Sequence, residues 1–126
     1  MWLFIAALNL AIAVMLGAFG AHAVKARVSA EQLGWWQTAT DYFFWHALGL
    51  LMIGVLLRVQ PALKLSGAAT ALQIGILIFC GSLYLMALGA PRWFGAITPI
   101  GGTALIIGWL WLAVIAWQTA GWNTAA

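Results

Sequence analysis

Residues 65–88 read LSGAATALQIGILIFCGSLYLMAL, an uncharged run that starts after Lys64 and stops at the Gly89-Ala90-Pro91-Arg92 break. A helix of about 20 mostly apolar residues crosses about 30 Å of hydrocarbon, and this run is long enough. Two similar stretches precede it, at about residues 3–23 and 38–57, and one follows, at about 99–119. Lys25 and Arg27 close the first, and Arg58 closes the second. The strands of a membrane barrel would instead alternate over segments of about 10 residues, and no such pattern occurs.

Composition excludes a water-soluble fold. Only five Lys/Arg and two Asp/Glu occur among 126 residues, and 66% of the chain is apolar. A soluble domain covers its surface with roughly a quarter charged residues. The net charge of +3 reflects scarce acids rather than a basic stripe, so nucleic acid is not an expected partner. One Cys excludes an internal disulfide, and one Cys with two His excludes the usual zinc patterns. The expected fold is all-α and integral to the membrane, one domain over residues 1–126, a compact antiparallel four-helix transmembrane bundle. No metal and no cofactor are expected.

Local signals set the helix ends. Ser29-Ala30-Glu31-Gln32 has the form of a capping box, so the second helix is expected to start near Ala30, along the interface. Thr98-Pro99 offers a capping hydroxyl before a proline at the first helical position. Trp2, Trp117 and Trp122 fall at one boundary and Trp35, Trp36 and Trp93 at the other, as aromatic belts require. No cation precedes the first apolar run, so it reads as a retained helix rather than a cleaved signal. Arg58 and Lys64 lie on the side of the termini, against Lys25, Arg27 and Arg92 opposite. That difference of one does not fix the orientation.

Each span carries one small or polar stripe at helical spacing. They are Ala6, Asn9, Ala13, Gly17 and Gly20 on the first, and Thr38, Tyr42, His46, Gly49 and Ile53 on the second. Ser66, Gln73, Cys80 and Tyr84 form the third, and Gly101, Ala104, Gly108 and Ile115 the fourth. Turned inward, these stripes make the seams of the bundle.

Several strings, in order along nearly the whole chain, resemble the bacterial and mitochondrial membrane family known as domain of unknown function 423. They are Gly17-Ala18-Phe19-Gly20-Ala21-His22, Trp36-Gln37-Thr38 with Asp41-Tyr42 and His46-Ala47, Gly81-Ser82-Leu83-Tyr84 with Ala87-Leu88, and Thr98-Pro99-Ile100-Gly101-Gly102 with Gly108-Trp109. The resemblance implies a small four-span protein of the bacterial inner membrane with both termini cytoplasmic. It carries over no activity, substrate or catalytic residue. Relatives can end in a basic tail, whereas this chain ends Trp122-Asn123-Thr124-Ala125-Ala126.

Among residues able to carry chemistry, His46 stands out. It lies twelve residues before Arg58, about 18 Å along the helix and near mid-membrane. An ionisable side chain at that depth is a functional candidate by default, and Tyr42 is one turn away on the same face. The favoured reading is an imidazole that bonds Gln73 or Tyr84 across the bundle. Tyr42, His46, Gln73, Tyr84 and Asn9 are thus the candidate polar core or pathway. Asp41 points about 100° away from Tyr42, so an Asp-His dyad is not expected; an interfacial ion pair with Lys25, Arg27 or Arg92 is. A carboxylate gate at a pore mouth is the sharper alternative. His22 follows the glycine-rich end of the first helix, where a turn near Gly20 or an interfacial imidazole is expected. The depth mismatch between the two His argues against bis-His haem ligation.

The expected class is therefore a non-enzymatic accessory or assembly-type membrane subunit. Its partners are the lipid bilayer and either a second copy or another membrane protein. A small channel or carrier, with His46 and Tyr42 in the pathway, is the alternative. The two halves show no internal repeat of the kind that builds many carriers. A redox or quinone enzyme has too few ligands to be favoured.

Overall fold

In the computed structural model, which describes residues 1–121, the chain forms four long helices joined by short connections. They are α1 (Trp2–Phe19), α2 (Ala30–Val59), α3 (Ser66–Ala87) and α4 (Thr98–Thr119). A π-helical turn, Gly20–Val24, extends α1, and a 3-10 turn, Arg92–Ala96, precedes α4. All four are long and apolar enough to cross a membrane. At 1.5 Å per residue α2 is about 45 Å long, so it projects past the hydrocarbon at one or both ends. Its start is fixed by the capping box: the Gln32 N–H donates to Ser29 Oγ at 3.2 Å, and the Ser29 N–H donates to Gln32 Oε1 at 3.0 Å.

The short connections make neighbours antiparallel, and the main interfaces follow chain order: α1 on α2, α2 on α3, α3 on α4. Small residues set the separations. A Cβ on Gly54 would press on the Leu3 backbone, and one on Gly101 would overlap the Phe79 backbone nitrogen. Gly108 leaves room for the Leu72 side chain, and Gly75 for Leu105. With no hydrophobic drive between helices in lipid, such close approach gains packing energy directly. The innermost layer is apolar: Leu50, Ile53, Leu65, Leu72 and Ile76 are fully buried.

The seams of α1 and α4 run where the spacing places them. Ala6, Asn9 and Ala13 are buried on α1, and Gly101 and Gly108 on α4, with Leu105 between them. Three expectations need correction. Thr38 is exposed; His46, Gly49 and Ile53 of its stripe are buried, and the buried face of α2 widens to include Trp36, Ala39, Phe43, Ala47 and Leu50. Trp36 is not a belt residue but is 3% exposed, because its indole N–H donates to the Leu16 carbonyl at 2.9 Å. Thr98 does not cap α4; its hydroxyl pairs with Ser82 Oγ at 2.6 Å, tying α4 to α3. Trp93 is exposed, Trp2 is half-buried against the core, and Trp122 lies outside the described residues.

Candidate functional site

The polar side chains of the bundle sort into separate pairs rather than one cluster. Asn9 and Gln73 meet between α1 and α3, where Asn9 Nδ2 donates to Gln73 Oε1 at 2.6 Å. Each belongs to a stripe read from helical spacing, and the fold brings the two stripes together at that depth. Eleven residues along α3, about 16 Å away, the Tyr84 hydroxyl meets Thr40 Oγ1 at 2.8 Å. Thr40 also donates to the Trp36 carbonyl at 2.9 Å, and Trp36 packs edge-on against Tyr84 with centroids 4.6 Å apart. Cys80, Ala13 and Ile76, all buried, lie in the interior between these levels.

His46 is buried on α2, but it bonds neither Gln73 nor Tyr84. Its Nδ1 lies 2.6 Å from the Tyr42 carbonyl oxygen of its own helix. A carbonyl can only accept, so Nδ1–H is the donor of this bond. The imidazole stacks on Tyr42 at 5.8 Å and faces Trp109 at 6.0 Å. Gly49 explains the approach of α4 here, since a Cβ would meet the Trp109 ring at 2.6 Å. Tyr42 packs on Phe79 of α3, centroids 4.6 Å apart. Of the five candidate core residues, then, Asn9 joins Gln73, Tyr42 joins His46, and Tyr84 takes Thr40, a partner that spacing alone did not single out.

The interfacial ion pair forms with a different acid. Arg92 Nη2 donates to Glu31 Oε2 at 2.9 Å, and the Arg92 guanidinium sits over the Trp35 ring at 5.9 Å. Asp41 is in no ion pair among the described residues, nor are Lys25 and Arg27. The reason is depth. Glu31 lies ten residues earlier on α2, about 15 Å nearer the surface, level with the turn that carries Arg92. Asp41 and Lys25 instead line an open groove beside Gly17, Gly20 and Ala21. His22 is exposed, within the π-helical turn. Among the described residues no three His, Cys, Asp or Glu gather as metal ligands do.

Gly17, Gly20, Gly101 and Gly108 all stand at helix contacts. A Cβ on Gly20 would overlap the Trp36 indole nitrogen, and one on Gly17 would reach Thr40 Cγ2 at 3.5 Å.

A family model described as Protein of unknown function (DUF423) matches residues 16–102. A UPF0382 membrane protein of Staphylococcus epidermidis is 43% identical over 120 residues, covering 95% of this chain and 98% of its own. Another, of Staphylococcus saprophyticus, is 43% identical over 113 residues, covering 90% and 93%. The UPF0382 membrane protein YwdK of Bacillus subtilis is 39% identical over 121 residues, covering 91% and 94%. No solved structure matches the chain.

Proposed function

The chain belongs to the DUF423 family of membrane proteins, and from that premise we propose that it is a non-enzymatic accessory or assembly-type subunit of the bacterial inner membrane, with both termini cytoplasmic. One observation supports this reading: apart from His46, the polar side chains named in the interior meet in local pairs. Asn9 with Gln73, Thr40 with Tyr84 and Ser82 with Thr98 each satisfy one another between two helices. Fully buried apolar side chains, Leu72 and Ile76 among them, fill the core. Paired groups of this kind hold helices in register, whereas a transport path needs polar groups or water in sequence across the membrane.

The deciding experiment is purification at native expression in mild detergent. A subunit travels in a complex of fixed composition and stoichiometry. A protein that runs as a lone monomer and conducts protons in liposomes would refute the subunit reading. For the orientation, a reporter active only in the cytoplasm should give a signal at both ends.

The carrier reading keeps one specific support. His46 Nε2 has no protein hydrogen bond among the described residues and lies near mid-membrane beside Tyr42. A homo-oligomer with this face inward would supply the pore that a single bundle lacks.

A further inference from the structure

Asp41 is a formal charge inside a candidate membrane span, and no cation among the described residues pairs with it. Both acids of the chain lie on α2. Glu31, in the first turn, is taken by Arg92. Asp41 is exposed and makes no ion pair or side-chain hydrogen bond among the described residues. Gln37, one turn earlier and so a neighbour on the same face, is exposed and its amide is likewise unbonded. Both line a groove of about 320 Å³ together with Gly17 and Ala21, small residues that leave it open to a long side chain.

The depth of Asp41 follows from its neighbours. A Cβ on Gly17 would reach the Thr40 methyl at 3.5 Å, so Thr40 is level with Gly17. Beyond Gly17, α1 and its π turn run seven residues farther, to Val24, or about 10 Å. Thr40 also meets Tyr84, three residues before the end of α3, or about 5 Å. Asp41 follows Thr40 on a helix that descends from this side, so it stands about 5–10 Å inside the helix ends. Ionisable side chains so placed pair with another charge or face a protein interior.

The chain does not supply the missing cation. Lys25, Arg27, Arg58, Lys64 and Arg92 all lie at helix ends or in connections, so a second copy, in either orientation, brings no cation to this depth. Lys25 lines the same groove but stands eight residues beyond Gly17 and makes no ion pair with Asp41. Lipid head groups lie outside the hydrocarbon. A basic side chain carried on another transmembrane helix meets both requirements, charge and depth. Building on the subunit reading, we propose that the Gln37–Asp41 face of α2 docks a transmembrane helix of a different protein. Its lysine or arginine pairs with the Asp41 carboxylate, and the Gln37 amide oxygen is a second acceptor for the same cation.

The test places the full chain in phosphatidylcholine vesicles with a polyleucine transmembrane peptide that carries one lysine at the depth of Asp41. Energy transfer between dyes on the two reads association. The lysine peptide should bind roughly tenfold tighter than an all-leucine one. Asp41→Asn should erase that difference and leave the melting temperature unchanged, because Asp41 bonds nothing within the chain. Equal binding of the two peptides, or a preference that survives Asp41→Asn, would overturn the proposal. So would energy transfer between two labelled copies that Asp41→Asn abolishes, since the face would then belong to a second copy. Purification at native expression separates this inference from the reading beneath it. The partner recovered with the wild type should carry a lysine or arginine inside a span and should be lost from Asp41→Asn. A complex that Asp41→Asn leaves intact would overturn the docking face while the subunit reading stands.

Discussion

Asn9 of α1 donates to Gln73 of α3 at 2.6 Å, a direct link between two helices that are not neighbours in sequence. Each side chain satisfies the other inside a mostly apolar interior, with Asn9 only 7% exposed. Removing one leaves the other unpaired where water is scarce. Asn9→Leu and Gln73→Leu should each destabilise the bundle by about 1–2 kcal/mol, toward the upper range for interhelical polar contacts. The double variant should lose less than the sum, because no orphaned group remains. Strict additivity in detergent unfolding would mean that the pair is not coupled.

The glycines give a prediction with two signs. At Gly101 a Cβ overlaps the Phe79 backbone, which has no flexible end to move aside. Gly101→Ala should therefore cost about 1–3 kcal/mol by overpacking. At Gly81, inside α3 and at ordinary φ, a Cβ meets nothing within 4 Å. Gly81→Ala should stabilise by about 0.5–1 kcal/mol through helix propensity. The same logic separates Gly108→Leu, which collides with Leu72 and the Ala68 carbonyl, from Leu110→Phe on a side chain 61% exposed to lipid. The first should lower the melting temperature and the second should leave it unchanged.

How far this arrangement is legible in the sequence depends on the kind of signal. Spans and seams follow from length and 100° spacing, so Ala6, Asn9 and Ala13, and Gly101 and Gly108, are found by counting. Partner choice is not, because it depends on axial depth in the folded bundle. Arg92 has two acids to choose from and takes Glu31, since Asp41 lies about 15 Å deeper along α2. Trp36 carries the composition signal of an interface belt, yet the close pass of α1 at Gly20 encloses it. The π turn Gly20–Val24 leaves no local signature beyond the glycine-rich string. Thr98 before Pro99 has the form of a cap, but a serine on the facing helix takes its hydroxyl.

Trp36 tests the α1–α2 contact. Phe in its place keeps most of the ring packing and loses only the bond to the Leu16 carbonyl. Trp36→Phe should cost about 1 kcal/mol, and Trp36→Ala about 3–5 kcal/mol, because a cavity opens beside Gly20 and Tyr84. Equal losses from the two in thermal melts would show that packing contributes little here.

The Glu31–Arg92 pair, though well formed at 2.9 Å, is an exposed one, its side chains 56% and 77% accessible. Water screens such pairs, so Arg92→Gln should change stability by less than about 1 kcal/mol. Whatever effect appears at low salt should vanish at about 1 M, where the Debye length is about 3 Å. A large, salt-independent loss would instead point to the contact with Trp35 as the main contribution of Arg92.

His46 separates a structural subunit from a carrier, and its geometry makes the outcomes distinct. Its Nδ1 bonds the Tyr42 carbonyl one turn back, and that oxygen already accepts the backbone N–H of His46 within α2. Replacing His46 by Leu therefore leaves no helix-bound group unpaired, unlike Asn9→Leu. Stability should change by less than about 1 kcal/mol, since the new side chain is apolar and fills an apolar site against Trp109. His46→Gln should fold as well, because an amide can donate to the same carbonyl. Proton flux is the second readout. A structural subunit should carry none in liposomes, in the wild type or in either variant. An amide cannot titrate near neutral pH, so flux present in the wild type and absent from a normally folded His46→Gln would assign the imidazole to a proton path. That result would overturn the subunit reading.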